Sequence, residues 1–446
     1  MGVMMQAFYW DCPRHESCEF AWWPRVEREL SGLQQAGITA LWLPPPGKSG
    51  NAASMGYDPY DYFDLGEFEQ KGAKATWFGS RAQLASLIDK AHSHGISLYA
   101  DLVLNHNNGA DGTQMNPLTG EEWWYLFKPL SGKFPRDWAC FHPSSFESFD
   151  EMDFAGMPDL CHRNPVVYSA LVECARWLVE DVGFDGFRFD FVKGFNTWII
   201  RAIMEFRYSK PGLPFQFKPY GVGENWDNEQ AIQRWLDHES EMSDNPVSAF
   251  DFPLRYTLQS LCDSSDFDMR QLNGTGLISQ RAMRAVTFVD NHDLLRLNDP
   301  EHIGIIHDKM LAYAYILTHE GYPCVFWLDW FTFGLGRPDR PDGIAALASL
   351  HEQYAGGSTS VLHADHDLYI MQRNGQGAQP GLILVINNRG DAWGGANVVT
   401  RWPHSLLTPK AWCSSIDKSE PDAKFTGPQG EADLWAPPRG YAVYVP

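Results

Sequence analysis

Over its first two-thirds the chain alternates short apolar runs with segments of helical period, and it does so eight times. The strand-like runs are "VMMQAFYW", "ITALWLPPP" from Ile38, "ISLYADLVLNH" from Ile96, "GFDGFRFDFVKG" from Gly183, "YGVGENW" from Tyr220, "VSAFDF", "AVTFVDNHD" from Ala285 and "YPCVFWLDW" from Tyr322. Between them lie helical patterns. From Ser80 to His94 a serine N-cap precedes Leu84, Leu87, Ile88 and Ala91 at helical spacing, and Gly95 is the stop. From Pro165 to Glu180, Val167, Leu171, Cys174 and Leu178 share one face. Repeated strand–helix units imply a parallel sheet, and eight of them imply a closed (β/α)8 barrel.

Two intervals break the rhythm. Between Asn107 and Pro158 the sequence is rich in Gly, Asn, Pro and Trp and has no helical period. So long a loop in a compact domain is normally functional, and it reads as a small domain inserted after strand three. After about Gly356, "DLYIMQRN", "GLILVINNRG" and "YAVYVP" are short strands with Gly/Asn turns. The expected division is therefore a barrel over 1–106 and 160–355, an inserted domain over 107–159, and a C-terminal antiparallel β-sandwich over 356–446. Several domains are also what 446 residues require.

Composition excludes some functions. A formal net charge of −21 argues against nucleic acid and against anionic membranes. No apolar run reaches transmembrane length. The opening residues show no basic n-region followed by an apolar h-region, so the expectation is a cytoplasmic protein or a mature secreted one. The eight cysteines are scattered with no CxxC pair, so a zinc ribbon or redox motif is not expected. Eighteen tryptophans and 14% aromatic residues fit a ring-rich core, a sugar-stacking cleft, or both.

The strand ends carry the chemistry, because a (β/α)8 barrel builds its site there. Strand three ends in Asp101, Asn105 and His106; strand four in Arg188, Asp190 and Lys193; strand five in Glu224; strand seven in Asn291, His292 and Asp293. Clustered carboxylates repel one another and are costly to desolvate, so stabilisation is a poor reason for them. In "GFDGFRFDFVKG", Phe187, Phe189 and Phe191 alternate with Arg188 and Asp190, placing a cation and an acid on one strand face. That pair is either structural or a guanidinium holding a catalytic carboxylate. Paired carboxyls, one ionised and one protonated, beside an aromatic cleft are what glycoside hydrolysis needs.

Seven runs, in order from Gly37 to Trp327, resemble motifs of the α-amylases of glycoside hydrolase family 13: "GITALWLPPP", "DLVLNH", "MPDLCH", "GFDGFRFDFVKG", "GENW", "FVDNHD" and "GYPCVFW". The resemblance implies Asp190 as nucleophile, Glu224 as general acid/base and Asp293 as the carboxylate that orients the sugar. It implies Arg188, His106 and His292 as contacts of the same ring and Tyr57, in "GYDPYD", as its stacking partner. Lys193 and Gly194 fall at leaving-group subsites. The implied substrate is an α-1,4-glucan, cleaved internally with retention by a monomer. The alternatives are a maltooligosaccharide-specific or transglycosylating member of the family and a non-catalytic glucan-binding relative.

The resemblance also implies a structural calcium ion held by Asn105, Asp159 and the carbonyl of Gly194. The insertion "CFHPSSFESFDEMDFAGMPDLCH" is most similar to that of the archaeal-type, short-insertion branch. This adds Asp150 and the carbonyl of Met152 to the calcium ligands; Asp150 as a plain loop acid is the other reading. Some members of that branch carry a second metal, zinc. His142 and Cys161 match its ligands, and Glu147 stands where a histidine is expected. Zinc accepts carboxylate, so a His/Glu/Cys set is chemically open, as is a buried thiol beside a loop histidine.

Overall fold

The computed structural model describes residues 2–14, 21–147, 154, 156–210, 214–240 and 243–446. Eight parallel strands close into a barrel in chain order: β1 Val3–Gln6, β2 Ile38–Leu43, β3 Ser97–Leu102, β4 Gly186–Phe189, β5 Tyr220–Gly223, β6 Ser248–Phe250, β7 Ala285–Phe288 and β8 Tyr322–Phe326. Helices Trp22–Gln35, Arg81–Ser93, Pro165–Trp177, Trp198–Glu205, Glu229–Ser240, Phe252–Asp263, Lys309–Thr318 and Ile344–Tyr354 follow the strands. Helix Arg81–Ser93 starts on a capping box: Ser80 accepts from the Gln83 amide, and the Gln83 side chain accepts from the Ser80 amide. The helix from Pro165 ends at Trp177, earlier than its periodicity suggests. The chain then widens into a π turn over Leu178–Val182 and stops at Gly183, whose φ is +112°.

Strand β4 also ends earlier than its alternating sequence suggests. Phe187 and Phe189 are fully buried in the main core, with Arg188 on the opposite face. Phe191 lies beyond the strand at φ +44° and turns into the cleft. A left-handed phenylalanine directly after Asp190 marks local strain of the kind that collects at functional sites.

The interval after β3 contains a hairpin, Gly112–Met115 with Glu122–Leu126, and a short 3-10 turn at Trp138–Cys140. It is tied back to the barrel by bridges His106↔Asp159 and Phe141↔Leu160. The C-terminal unit is antiparallel. Six strands run in the spatial order Thr359–Ala364, Leu368–Arg373, Leu382–Asn387, Gly440–Val445, Leu406–Ser414, Lys424–Phe425, and Gly394–Val399 pairs with Glu431–Ala436. Side-chain alternation divides the labour. Tyr369, Met371, Leu384, Ile386, Tyr441 and Val443 join the barrel core. Ile370, Ile383, Val385, Ala442 and Tyr444 face the other way, onto Val398, Ala432 and Leu434, and form a second core.

Seven cysteines are free among the described residues, and all but Cys413 are buried. No described helix is long and apolar enough to cross a membrane.

Candidate active site

The register of β3 against β4 places Asp101 beside Arg188. Arg188 is fully buried, and its Nη1 donates to both Asp101 oxygens, at 2.8 and 3.0 Å, and to Asp190 Oδ1 at 2.6 Å. Its Nη2 lies 2.8 Å from Glu224 Oε1, a charge contact without hydrogen-bond alignment. One guanidinium therefore serves acids from the ends of β3, β4 and β5. Asp101 also accepts from Trp42 Nε1 at 3.0 Å and from the Tyr57 hydroxyl at 2.8 Å. The guanidinium lies 4.9 Å from the Trp42 ring centroid. Arg188 and Asp101 thus form the structural ion pair, and Asp190 hangs from the same cation at the edge of the cleft.

The cleft above has a volume of about 940 Å³. Asp190, Glu224, Asp293, Tyr57, His292 and Lys193 line it, with Trp10, Phe154, Phe191, Trp226 and Arg296. Tyr57 and His292 stack at 5.0 Å, and Trp10 stacks on Tyr57 at 5.9 Å. Gln6 Nε2 donates to His292 Nδ1 at 2.9 Å, which leaves the proton on Nε2, 3.3 Å from Asp293 Oδ2. Burial pushes His292 down to about 4, so the ring is neutral at neutral pH. His106 is fully buried and does not line the cleft; its Nε2 donates to the Tyr57 carbonyl at 2.9 Å and its ring stacks on Phe154. Here it fixes the segment that carries Tyr57.

Two of the three cleft carboxyls are raised in pKa and the third is lowered. Burial pushes Glu224 up to about 8; Arg188 opposes this, and Asp190 and Asp293 reinforce it. Burial likewise raises Asp190 to about 7, again against Arg188. Asp293 goes the other way: burial would raise it, but His292, Arg188 and Arg296 together hold it below the ordinary carboxylate value. At neutral pH Glu224 is mostly protonated, Asp190 titrates beside the guanidinium, and Asp293 is ionised. Such a cluster can offer a protonated carboxyl beside ionised ones.

A family model described as "Alpha amylase, catalytic domain" matches residues 26–328. The chain belongs to the α-amylase family, glycoside hydrolase family 13. It is similar to the Bacillus licheniformis α-amylase, with 30% identity over 89% of this chain and 84% of that one. Identity to the Geobacillus stearothermophilus α-amylase is 32%, over 86% of this chain and 76% of that one. The Geobacillus thermoleovorans α-amylase, solved with acarbose, superposes with a TM-score of 0.69 at 18% identity, covering 99% of this chain and 97% of that one. That likeness speaks for the fold.

This α-amylase-family site also draws on residues to which the resemblance gave no role. Asp101 was visible only as a strand-end acid, and its bidentate hold on Arg188 depends on strand register. Trp10 sits at the end of the first strand run, and Arg296 donates to Asp293 Oδ1 at 3.0 Å while lying 4.3 Å from the Trp10 centroid. Trp226 stacks on Phe252 and donates to the Tyr256 hydroxyl at 2.7 Å, while Lys193 donates to its carbonyl at 3.0 Å. For Arg296 and Trp226 the sequence cue was cationic or aromatic character three residues past Asp293 and two past Glu224; Trp10 had no such cue.

Beside the cleft, Asn105 Oδ1 and Asp159 Oδ1 are buried oxygens without a hydrogen-bond partner among the described residues. A Cβ on Gly194 would stand 2.2 Å from Asn105 Oδ1, so the chain passes there with no room for a side chain. The other Asp159 oxygen is 2.8 Å from His142 Nδ1. The ligand atoms of His142, Glu147 and Cys161 lie within 4.8 Å of one another. Burial would raise the Cys161 thiol, but His142 and Ser144 hold it below its ordinary value. Asp150 and Met152 lie outside the described residues.

Proposed function

We propose that this enzyme hydrolyses internal α-1,4-glucosidic bonds of starch- or glycogen-type glucans by double displacement, with retention. The observation that carries the reading is one buried guanidinium, Arg188, reaching both Asp190 and Glu224, with burial raising both acids and Glu224 the higher. Asp190 attacks the anomeric carbon. Glu224 protonates the departing oxygen and then, as a carboxylate, takes a proton from the incoming water. A shared guanidinium supports the separation of roughly 5–5.5 Å that retention needs. Asp293 opposes the charge that develops on the sugar, and Tyr57, backed by His292 and Trp10, offers a stacking face to the ring. Lys193 and Trp226 lie on the leaving-group side.

The test is soluble starch, with viscosity and reducing ends followed together. An internally cleaving enzyme collapses viscosity while few ends appear. Steady release of small sugars with slow viscosity loss, or transfer products, would instead support an oligosaccharide-specific or transglycosylating enzyme. Absence of any turnover would leave a glucan-binding protein.

Asn105, Asp159 and the Gly194 carbonyl fit a calcium ion, a hard cation that takes six to eight oxygens. The two orphaned, buried oxygens support this. Bound calcium would fasten the end of β3 to the segments carrying Asp159 and Gly194. Asp150 and Met152 complete the proposed set. His142, Glu147 and Cys161 offer the nitrogen, oxygen and sulfur donors that zinc accepts. Chelation is expected to lower Tm by about 3 °C, since a site saturated a hundredfold above its Kd contributes roughly 2.7 kcal/mol. An unchanged Tm in excess EDTA would remove the calcium proposal, and metal analysis of the purified protein reads zinc separately.

A further inference from the structure

Asp290 belongs to the run "FVDNHD", is 2% exposed, and takes no part in lining the cleft. It sits in a buried cluster of two acids and two bases. Its Oδ1 pairs with Arg255 Nη2 at 2.6 Å and its Oδ2 with Lys309 Nζ at 2.8 Å. Lys309 also pairs with Asp329 Oδ1 at 2.7 Å, and Asp329 Oδ2 accepts from the Tyr313 hydroxyl at 2.5 Å. Desolvation consumes most of the Coulombic gain of such a cluster, so net stability is a weak reason for it.

Its contacts suggest another role. The residues after Asp293 form a hairpin: Leu295 bridges Ile303, the Arg296 amide donates to the His302 carbonyl at 2.9 Å, and the Gly304 amide to the Leu294 carbonyl at 2.9 Å. Arg296 holds Asp293 Oδ1 and also donates through Nε to the His292 carbonyl at 3.2 Å. One side of the hairpin, through Leu294, Arg296 and His302, faces the catalytic cleft. The other, through Leu295, Ile303 and Ile305, faces a separate cavity of about 940 Å³. On that side Leu295 packs on Phe326 and Leu328, and Ile305 joins the main core. Asp263 Oδ1 accepts from the Ile306 and His307 amides just beyond it, and Asp290 ties the return itself: its Oδ2 accepts from the Ile305 amide at 3.0 Å, and Gly304, at φ +62°, passes so close that a Cβ would stand 2.7 Å from that oxygen.

We propose that Asp290 is a positioning residue, which sets where Asp293 stands by clamping the return of this hairpin to the Arg255–Lys309–Asp329 cluster. The catalytic side of this rests on the amylase reading above. Asp290→Asn is compared with Asp329→Asn, which also removes a buried charge from the cluster but no bond to the hairpin. Asp290→Asn is expected to lower kcat on starch about tenfold to a hundredfold, the scale of a small misplacement, while KM moves by no more than about twofold. Asp329→Asn is expected to lower Tm and keep kcat within about twofold. Gly304→Ala, which presses on the clamp and keeps all four charges, is expected to follow Asp290→Asn and serves if that variant fails to fold. Amide exchange at Ile305 should quicken in Asp290→Asn and not in Asp329→Asn. Equal kcat losses in both Asp variants, or lost Tm with intact kcat in Asp290→Asn, would overturn the proposal. If the wild type does not hydrolyse starch, the amylase reading fails, and the Ile305 exchange still decides the clamp.

Discussion

Asp190→Asn is expected to lower starch turnover about ten-thousandfold or more, roughly 5.5 kcal/mol of transition-state stabilisation, with the fold intact. The amide can occupy the carboxylate's volume and can keep an oxygen toward Arg188, but it cannot form the covalent intermediate. Stability should not suffer. Arg188 is surrounded by Asp101, Asp190 and Glu224, with Asp293 close enough to perturb two of them. Removing one acid relieves repulsion and removes a buried carboxylate, so Tm should stay level or rise. Steady-state kinetics beside a thermal melt checks both halves. Turnover near wild type would dismiss Asp190 as nucleophile, and a collapsed Tm would mean that its bond to Arg188 holds the barrel end together.

Glu224→Gln is expected to cost about a thousandfold to ten-thousandfold on starch, near the upper end for a lost general acid. The loss should depend on the leaving group. A glycosidic oxygen in starch needs a proton, whereas an activated aryl leaving group departs without one, so the first half-reaction on an aryl maltooligosaccharide should survive far better than starch cleavage. The pH profile gives a second reading. Glu224 must be protonated to act, and its carboxyl is raised to about 8, so activity should fall as pH climbs through that value. Asp190 must be ionised, and it is raised to about 7, so activity should also fall as pH drops below it. The two groups interact, so kcat/KM should show a narrow bell whose limbs belong to the pair. In Glu224→Gln the alkaline limb should vanish and the acid limb remain. Full starch activity in that variant, or an alkaline limb that persists, would assign the proton to another group.

Much of the design was legible without coordinates because it rests on local rules. Strand and helix periods, the Ser80 cap and the Gly95 stop are near-neighbour effects, and repeated β–α units leave few topologies. The barrel, the interval after β3 and the antiparallel C-terminal unit follow from them. Convergence of strand ends also made Asp101, Asp190, Glu224 and Asp293 legible as one cluster, and the resemblance to the family, not the local rules, picked three of them. The alternation in "GFRFDF" was misleading at its last residue: period two holds only while the strand lasts, and it stops at Phe189, so Phe191 faces the cleft.

Tertiary structure alone decided everything that depends on distance across the barrel. Strand register puts Asp101 on Arg188. Side-chain packing leaves His106 holding the Tyr57 backbone behind the cleft instead of lining it. The raised and lowered acidities of three chemically similar carboxyls come from burial and neighbours, neither of which the local sequence encodes. The bond from Asp290 to the Ile305 amide joins residues 15 positions apart through a turn whose path the sequence does not give. A one-dimensional pattern specifies which face a side chain takes and which end of the barrel it reaches. Electrostatics falls off with distance in space, so what a charge does there was fixed only when the chain folded.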